Sequence, residues 1–369
     1  MSRDALLSVR DLSVVFQVRA HGHRKKIDLR AVNDVSFDIA RGETLAIVGE
    51  SGSGKSTAAR ATLRLVPIQS GRIEYDGVDI ASLRGTSLRA VRRNMQMVFQ
   101  DPYSSLDPSS TVLDIVSEPL RVHEKLGRRD CEGRVAELLS QVGLSPQHLR
   151  RYPYEFSGGQ RQRIAIARAL ALNPKLVVLD EAVSALDMST QNQVLELLES
   201  LRTDRDLSYL FISHNLGVVR WIADRTAVMY LGNLVEVGPA DRVHSQPAHP
   251  YTRSLLSAMP VPDPLVQKKR KRIVLEGDPP DPLTPITGCV FQTRCPEAML
   301  ICAQVRPEPI AVQGGGWAAC HLLAPPGNTT STSLPDSPAV EASTALGSDP
   351  IGLSRSHHHH QPPLQGESK

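Results

Sequence analysis

Residues 43–57 read ETLAIVGESGSGKST, and this stretch decides the fold. Its apolar run Leu45-Ala46-Ile47-Val48 has the pattern of a short buried strand. Gly49, four further residues, Gly54, Lys55 and Ser56 then match the phosphate-binding loop G-x-x-x-x-G-K-[ST]. Glycines let successive backbone N–H groups turn inward around a polyphosphate, and the helix that follows adds its positive N-terminal end. Lys55 can reach the outer phosphates, and the Ser56 hydroxyl can occupy one position around Mg²⁺. A Gly/Ser-rich turn ahead of a helix would use the same residue types, but the strand–loop–helix order favours a nucleotide.

Upstream, LSVRDLSVVFQV at 7–18 alternates as a first strand and Ala31 to Ile39 as a second, with the basic RAHGHRKKIDLR at 19–30 read as a solvated hairpin loop. Ala58 to Val66 reads as the helix behind the phosphate loop. Residues 71–80 carry an Asp76-Gly77 turn between two strand-like halves. Met95 to Gln100 is a short strand ending on a polar residue. From Asp101 to Tyr154 helical spacing takes over. Thr111 to His123 and Arg134 to Val142 are helices, with Val135, Leu138, Leu139 and Val142 on one face.

Phe156-Ser157-Gly158-Gly159-Gln160 opens a strong helix in which Ser157 is the cap. On its own this is an ordinary capped helix. Leu176 to Leu179 is a buried strand ending on Asp180-Glu181, and carboxylates at a strand end beside a phosphate loop are placed to hold Mg²⁺ and orient water. Asp187 precedes a helix from Thr190 to Arg202. Tyr209 to Ile212 is one more strand, ending on Ser213-His214.

The phosphate loop, Gln100, Phe156–Gln160, Asp180-Glu181, Asp187 and His214 occur in the order of the ATP-binding subunits of ABC transporters, which the chain resembles over residues 7–238. QDPYSSLDP at 100–108, YLFISHN at 209–215, VMYLG at 228–232, HPYTRSLLSAMP at 249–260, GDPP at 277–280 and GCVFQTRCP at 288–296 are similar to the oligopeptide/dipeptide importers. The wording is closest to the second of their two paired ATPases. Phe156, Ala182 and Asn215 depart from the family's usual Leu, Pro and Asp, and none of the three removes a catalytic group.

The resemblance implies an α/β fold: a P-loop ABC ATPase core with an antiparallel β subdomain and a helical subdomain, plus a small cysteine-containing C-terminal extension. The implied domains are 1–240 for the nucleotide-binding domain (helical part about 101–156), 241–323 for the extension, and 324–369 for a disordered tail. ATP would lie on Gly49, Glu50, Ser51, Gly52, Ser53, Gly54, Lys55, Ser56 and Thr57, with Phe16 stacked on adenine. Ser56, Gln100 and Asp180 would face Mg²⁺. Glu181 would be the general base, His214 would contact the γ-phosphate, and Gln100 and Lys55 complete the catalytic set. Ser157, Gly158, Gly159, Gln160 and Asp187 would serve a nucleotide bound to a facing subunit. The implied partners are a second related ATPase forming a heterodimer, two membrane permeases and an extracytoplasmic solute-binding protein.

Composition agrees. A net charge of +3 and 4% aromatics over 369 residues offer neither the field nor the stacking surface of a nucleic-acid binder. MSRDALLSVR holds no signal-peptide core, so a cytoplasmic protein is expected, and the resemblance implies the cytoplasmic face of the cell membrane, peripheral through the permeases. The function implied is ATP hydrolysis that energises di- or oligopeptide import. The alternatives are import of nickel or glutathione, and a soluble ABC ATPase acting on nucleic acid.

Five cysteines are present: Cys131 alone, and Cys289, Cys295, Cys302 and Cys320 clustered. Four clustered thiols suit zinc or an iron–sulfur cluster, and structural zinc usually shows a pair two to four residues apart, which is missing here. Spacing leaves zinc open. The family resemblance implies a 4Fe–4S cluster with a structural role. The basic run Gln267–Arg272 reads as a solvated charge cluster, and the four histidines at 357–360 as part of the low-complexity tail.

Overall fold

The computed structural model describes residues 5–19, 26–259, 273–275, 277–278 and 280–324. The loop residues 20–25, the run Gln267–Arg272 and the tail beyond Ala324 lie outside the described residues.

Two sheets build the described structure. In the smaller, β1 (Ala5–Val18) and β2 (Ile27–Ala40) form a long antiparallel pair, and β4 (Ser70–Tyr75) and β5 (Val78–Asp79) continue it in the order β2-β1-β4-β5. The larger joins β3 (Thr44–Val48), β6 (Met95–Val98), β7 (Leu176–Asp180), β8 (Ser208–Ser213), β9 (Arg225–Tyr230), β10 (Asn233–Pro239), β11 (Pro309–Ala311) and β12 (Trp317–Ala319) in the order β11-β12-β10-β9-β3-β8-β7-β6. Strands β9, β3, β8, β7 and β6 run parallel, and β10, β12 and β11 extend the sheet antiparallel.

The parallel strands read as unbroken apolar runs because both of their faces are covered. Successive side chains still alternate between two cores. Leu45, Ile47, Leu176, Val178, Leu210, Ile212, Ala227 and Met229 join the core beneath the antiparallel sheet. Ala46, Val48, Val177, Leu179, Tyr209, Phe211, Val228 and Tyr230 join the core on the other face, with the helices.

Helix α1 spans Lys55–Thr62, starting and ending earlier than its apolar residues suggest, because Arg64 turns left-handed (φ 57°) and ends it. Helix α2 (Gly85–Arg92) buries no residue, so no apolar stripe announced it. Strand β2 starts at Ile27, not Ala31. Ile27 and Leu29 alternate with Asp28 and Arg30 opposite Val18 and Phe16, a pattern hidden by the neighbouring basic residues.

The helical region begins with a single turn, α3 (Pro102–Ser105), followed by α4 (Val112–His123), α5 (Arg128–Gln141) and α6 (Gly158–Leu170). Val135, Leu138, Leu139 and Val142 are all buried, as their spacing requires. Helix α7 spans Met188–Arg205, capped by Asp187, and α8 spans Leu216–Ile222. Asn215 caps α8 by accepting the Gly217 N–H at 2.9 Å, so its amide keeps the capping function of an aspartate there.

Beyond Gly238 the chain adds two more strands to the larger sheet. β12 pairs with β10 through Glu236 and Val237, and its three residues are too few to show an alternating pattern. Helices α9 (Ala240–Ser245) and α10 (Pro250–Ser257) are fixed by a buried ion pair. Glu236, 0% exposed, accepts Arg242 and the N–H groups of Ala248 and His249, both at 2.9 Å. A short helix, α11 (Leu300–Gln304), lies in the cysteine segment.

His249 caps α10, its Nδ1 accepting the Tyr251 N–H at 3.1 Å. Burial, with a smaller push from Arg253, takes its pKa down to about 3. The unfolded chain binds a proton here near pH 6.5, which the folded chain refuses until about pH 3. Stability from this group is therefore full above about pH 6.5 and falls below it, by up to about 1.4 kcal/mol per pH unit. In His249→Asn the cap survives but does not titrate. We expect its urea midpoint to drop less between pH 7 and pH 5 than that of the unaltered protein. Equal drops in both would remove His249 as the cause.

Candidate functional site

The site grows from the carboxyl ends of four adjacent parallel strands, where an open α/β sheet offers its crevice. The loop after β3 leads into α1, and Gly54 sits at the junction with φ 101°. A Cβ there would lie 2.2 Å from the carbonyl oxygen of Ala31, so only glycine fits. Lys55 is buried, and its Nζ donates to the carbonyls of Gly49 (2.9 Å) and Glu50 (2.8 Å). Burial holds Lys55 below the usual lysine range, opposed by the carboxylates of Glu181, Asp180 and Glu50.

One residue further on, Ser56 Oγ donates to Asp180 Oδ1 at 2.6 Å. Asp180, at the end of β7, is fully buried, and its second oxygen lies 3.2 Å from Arg60 Nη2. Glu181 follows with φ 48°, a left-handed conformation that costs a non-glycine residue about 1–3 kcal/mol. That backbone turn sends the carboxylate away from the strand. Gln100 Nε2, from the end of β6, donates to Glu181 Oε2 at 2.9 Å, and His214 Nδ1, from the end of β8, lies 3.3 Å from the same oxygen.

A cavity of about 970 Å³ opens over these groups, lined by Ser51, Gly52, Gly54, Lys55, Ser56, Thr57, Gln100, Glu181 and His214. Phe16 and Arg30 form its antiparallel-sheet side, and Leu283 and Ile286 its far wall. Ser157, Gly158, Gly159, Gln160 and Asp187 do not line it. Ser157 instead caps α6 by accepting the Gln160 N–H at 3.3 Å, while the Gln160 side chain accepts the Ser157 N–H at 3.1 Å. Asp187 is held well below the usual carboxylate range by hydrogen bonds from Ser189 and Thr190.

A family model described as ABC transporter matches residues 32–184, and another described as Oligopeptide/dipeptide transporter, C-terminal region matches residues 235–302. The oligopeptide transport ATP-binding protein AppF of Bacillus subtilis is 49% identical over 323 residues, covering 87% of this chain and 98% of AppF. OppF of Salmonella typhimurium is 48% identical over 83% of this chain and 92% of its own. The chain belongs to the ATP-binding subunits of the oligopeptide/dipeptide ABC transporters. Among solved structures, the ATP-binding cassette MJ0796, described as a dimer in a post-hydrolysis state bound to ADP and Pi, superposes with a TM-score of 0.57 at 27% identity, over 63% of this chain and 98% of that one. The fold is thus that of a P-loop ABC ATPase, an enzyme that couples ATP hydrolysis to transport, with ATP and Mg²⁺ its expected cofactors. The relatives do not favour the soluble nucleic-acid reading. No described helix is long and apolar enough to cross a membrane.

The cysteine segment needs a correction. Among the described residues no group of three His, Cys, Asp or Glu side chains is placed to hold a metal ion, so the expected 4Fe–4S ligand set is not found as such. The four thiols are free, and Cys289, Cys295 and Cys320 each sense the charge of others in the set. Burial pushes Cys289 up to about 11 and raises Cys295 and Cys320. Cys302 Sγ nevertheless accepts the Met299 N–H at 3.4 Å, and the backbone N–H groups of Phe291, Glu297 and Leu322 pull against burial at Cys289, Cys295 and Cys320. Such donors favour thiolates and partly offset the effect of burial.

Sequence reasoning missed Arg60, Tyr251, Arg294 and the wall at 283–286. Arg60, four residues after Ser56 on α1, could have been found from helical spacing. Arg294 meets its partner 244 residues away in sequence, where no local pattern reaches.

Proposed function

We propose that this chain is one half of a paired ATP-driven motor that energises import of di- or oligopeptides, docked on two membrane permeases and fed by an extracytoplasmic solute-binding protein. The observation that carries the catalytic part is the convergence of Gln100 and His214 on one oxygen of Glu181, beside the Ser56–Asp180 pair. In this reading the loop amides and Lys55 hold the phosphates, and Phe16 packs on the base. Ser56, Asp180 and Gln100 would hold Mg²⁺, whose charge offsets that developing on the transferred phosphoryl group. Glu181 accepts the proton of the attacking water, oriented by Gln100 and His214. Ser157, Gly158, Gly159, Gln160 and Asp187, outside this cavity, serve the nucleotide of the facing ATPase. The names of the relatives support peptide as the cargo.

Within the same reading, Cys289, Cys295, Cys302 and Cys320 hold a 4Fe–4S cluster that ties the loops of residues 280–323 together. Support comes from the backbone N–H groups that favour the thiolates and the lack of any disulfide among them.

The test of the whole is uptake into proteoliposomes bearing the complete transporter with ATP at the motor face. Labelled oligopeptide should accumulate only with ATP and the binding protein present. Accumulation of nickel or glutathione instead, with no peptide, would overturn the cargo assignment.

A further inference from the structure

Glu50, the first residue after Gly49 in the phosphate loop, is gripped from the C-terminal extension at two points. Its backbone N–H donates to Tyr251 Oη at 2.9 Å, and its carboxylate accepts Arg294 Nη1 at 2.9 Å. Neither partner is a loosely placed surface group. Tyr251 is 0% exposed and the Arg294 side chain 10%. Tyr251 is wedged between Tyr230 and Phe291, with ring centroids 4.6 and 5.3 Å away, and Phe291 itself is 1% exposed. The carbonyl of the same Glu50 holds Lys55 Nζ at 2.8 Å. One residue thus connects the extension to the lysine that faces the phosphates.

We propose that Arg294 and Tyr251 are positioning residues of the nucleotide site: through Glu50 they fix the opening turn of the phosphate loop and the resting place of Lys55. The extension is then part of the ATP site, consistent with Leu283 and Ile286 lining the same cavity. A phosphate loop works by presenting several N–H groups in one fixed concavity, and a loop free to sample other shapes binds more weakly in proportion to the time spent in them. The Glu50 N–H is committed to Tyr251, which leaves the later amides of the loop to face the phosphates. The proposal rests on the ATPase reading.

The test uses the assembled transporter, with a fluorescent ATP analogue for binding and phosphate release for turnover. Arg294→Met should raise the dissociation constant and the KM for ATP about tenfold, the loss expected for one charge-assisted hydrogen bond, while kcat stays within about twofold. Arg294→Lys should recover most of the affinity. Tyr251→Phe, which keeps the ring packing and removes only the acceptor, should shift KM in the same direction. Glu50→Gln combined with Arg294→Met should be no weaker than either change alone, because both break one link. A purely structural role predicts lowered thermal stability with unchanged nucleotide affinity, and that result would overturn the proposal. So would unaltered affinity in both Arg294→Met and Tyr251→Phe. If the unaltered protein binds no nucleotide at all, the ATPase reading falls first, which is a distinguishable outcome.

Discussion

Glu181→Gln should leave ATP binding near normal while steady-state hydrolysis falls by about a hundredfold or more, the range a positioned general base contributes. The substitution is nearly isosteric, so the left-handed backbone at this position (φ 48°) is no more strained than before. The amide oxygen can still accept from Gln100, whose Nε2 stands 2.9 Å from Glu181 Oε2. What disappears is the negative charge and the proton acceptor. His214, 3.3 Å away, brings no negative charge to replace the one that is lost. Bound ATP that persists through repeated washing, measured by filter retention and phosphate release on the same sample, is the expected result. Hydrolysis within threefold of the unaltered protein would take Glu181 out of the role.

Much of this site is legible in the chain because its parts are short and local. The loop at 49–57 carries its own chemistry in its spacing, and Asp180 and Glu181 announce themselves by ending a strand that is apolar throughout. The extra strands β11 and β12 are not legible. Three residues each cannot display a period; β12 pairs with β10 across 80 residues or more, and β11 pairs only with β12. Helix α2 escapes for another reason: none of its residues is fully buried and Val91 meets the core only half-buried, so no apolar face marks it. The grip of Tyr251 and Arg294 on Glu50 joins residues more than 200 positions apart. A single sequence holds no trace of such a contact, although each residue stands in a stretch that the family resemblance already singled out.

The second large effect concerns a residue outside the cavity. Ser157 caps α6 and does not line the nucleotide pocket of its own chain. If its N-terminal turn faces the γ-phosphate of the nucleotide held by the other ATPase, a negative charge there should be disastrous. Ser157→Asp is the informative change, since aspartate caps helices as well as serine does and the fold should survive. A unit charge about 4 Å from a phosphate at an effective dielectric near 20 costs about 4 kcal/mol, or roughly a thousandfold in closure of the pair. Nucleotide affinity of this chain's own cavity should not change.

That contrast is the most direct test of the central claim, that two chains complete each ATP site. On the purified ATPase pair, Ser157→Asp in this chain should reduce phosphate release by about a hundredfold or more, while a fluorescent nucleotide still binds this chain's own phosphate loop with unaltered affinity. The unpaired chain at dilution, confirmed as a monomer by light scattering, should hydrolyse ATP only weakly. Full hydrolysis by that monomer, with no effect of Ser157→Asp, would contradict the account.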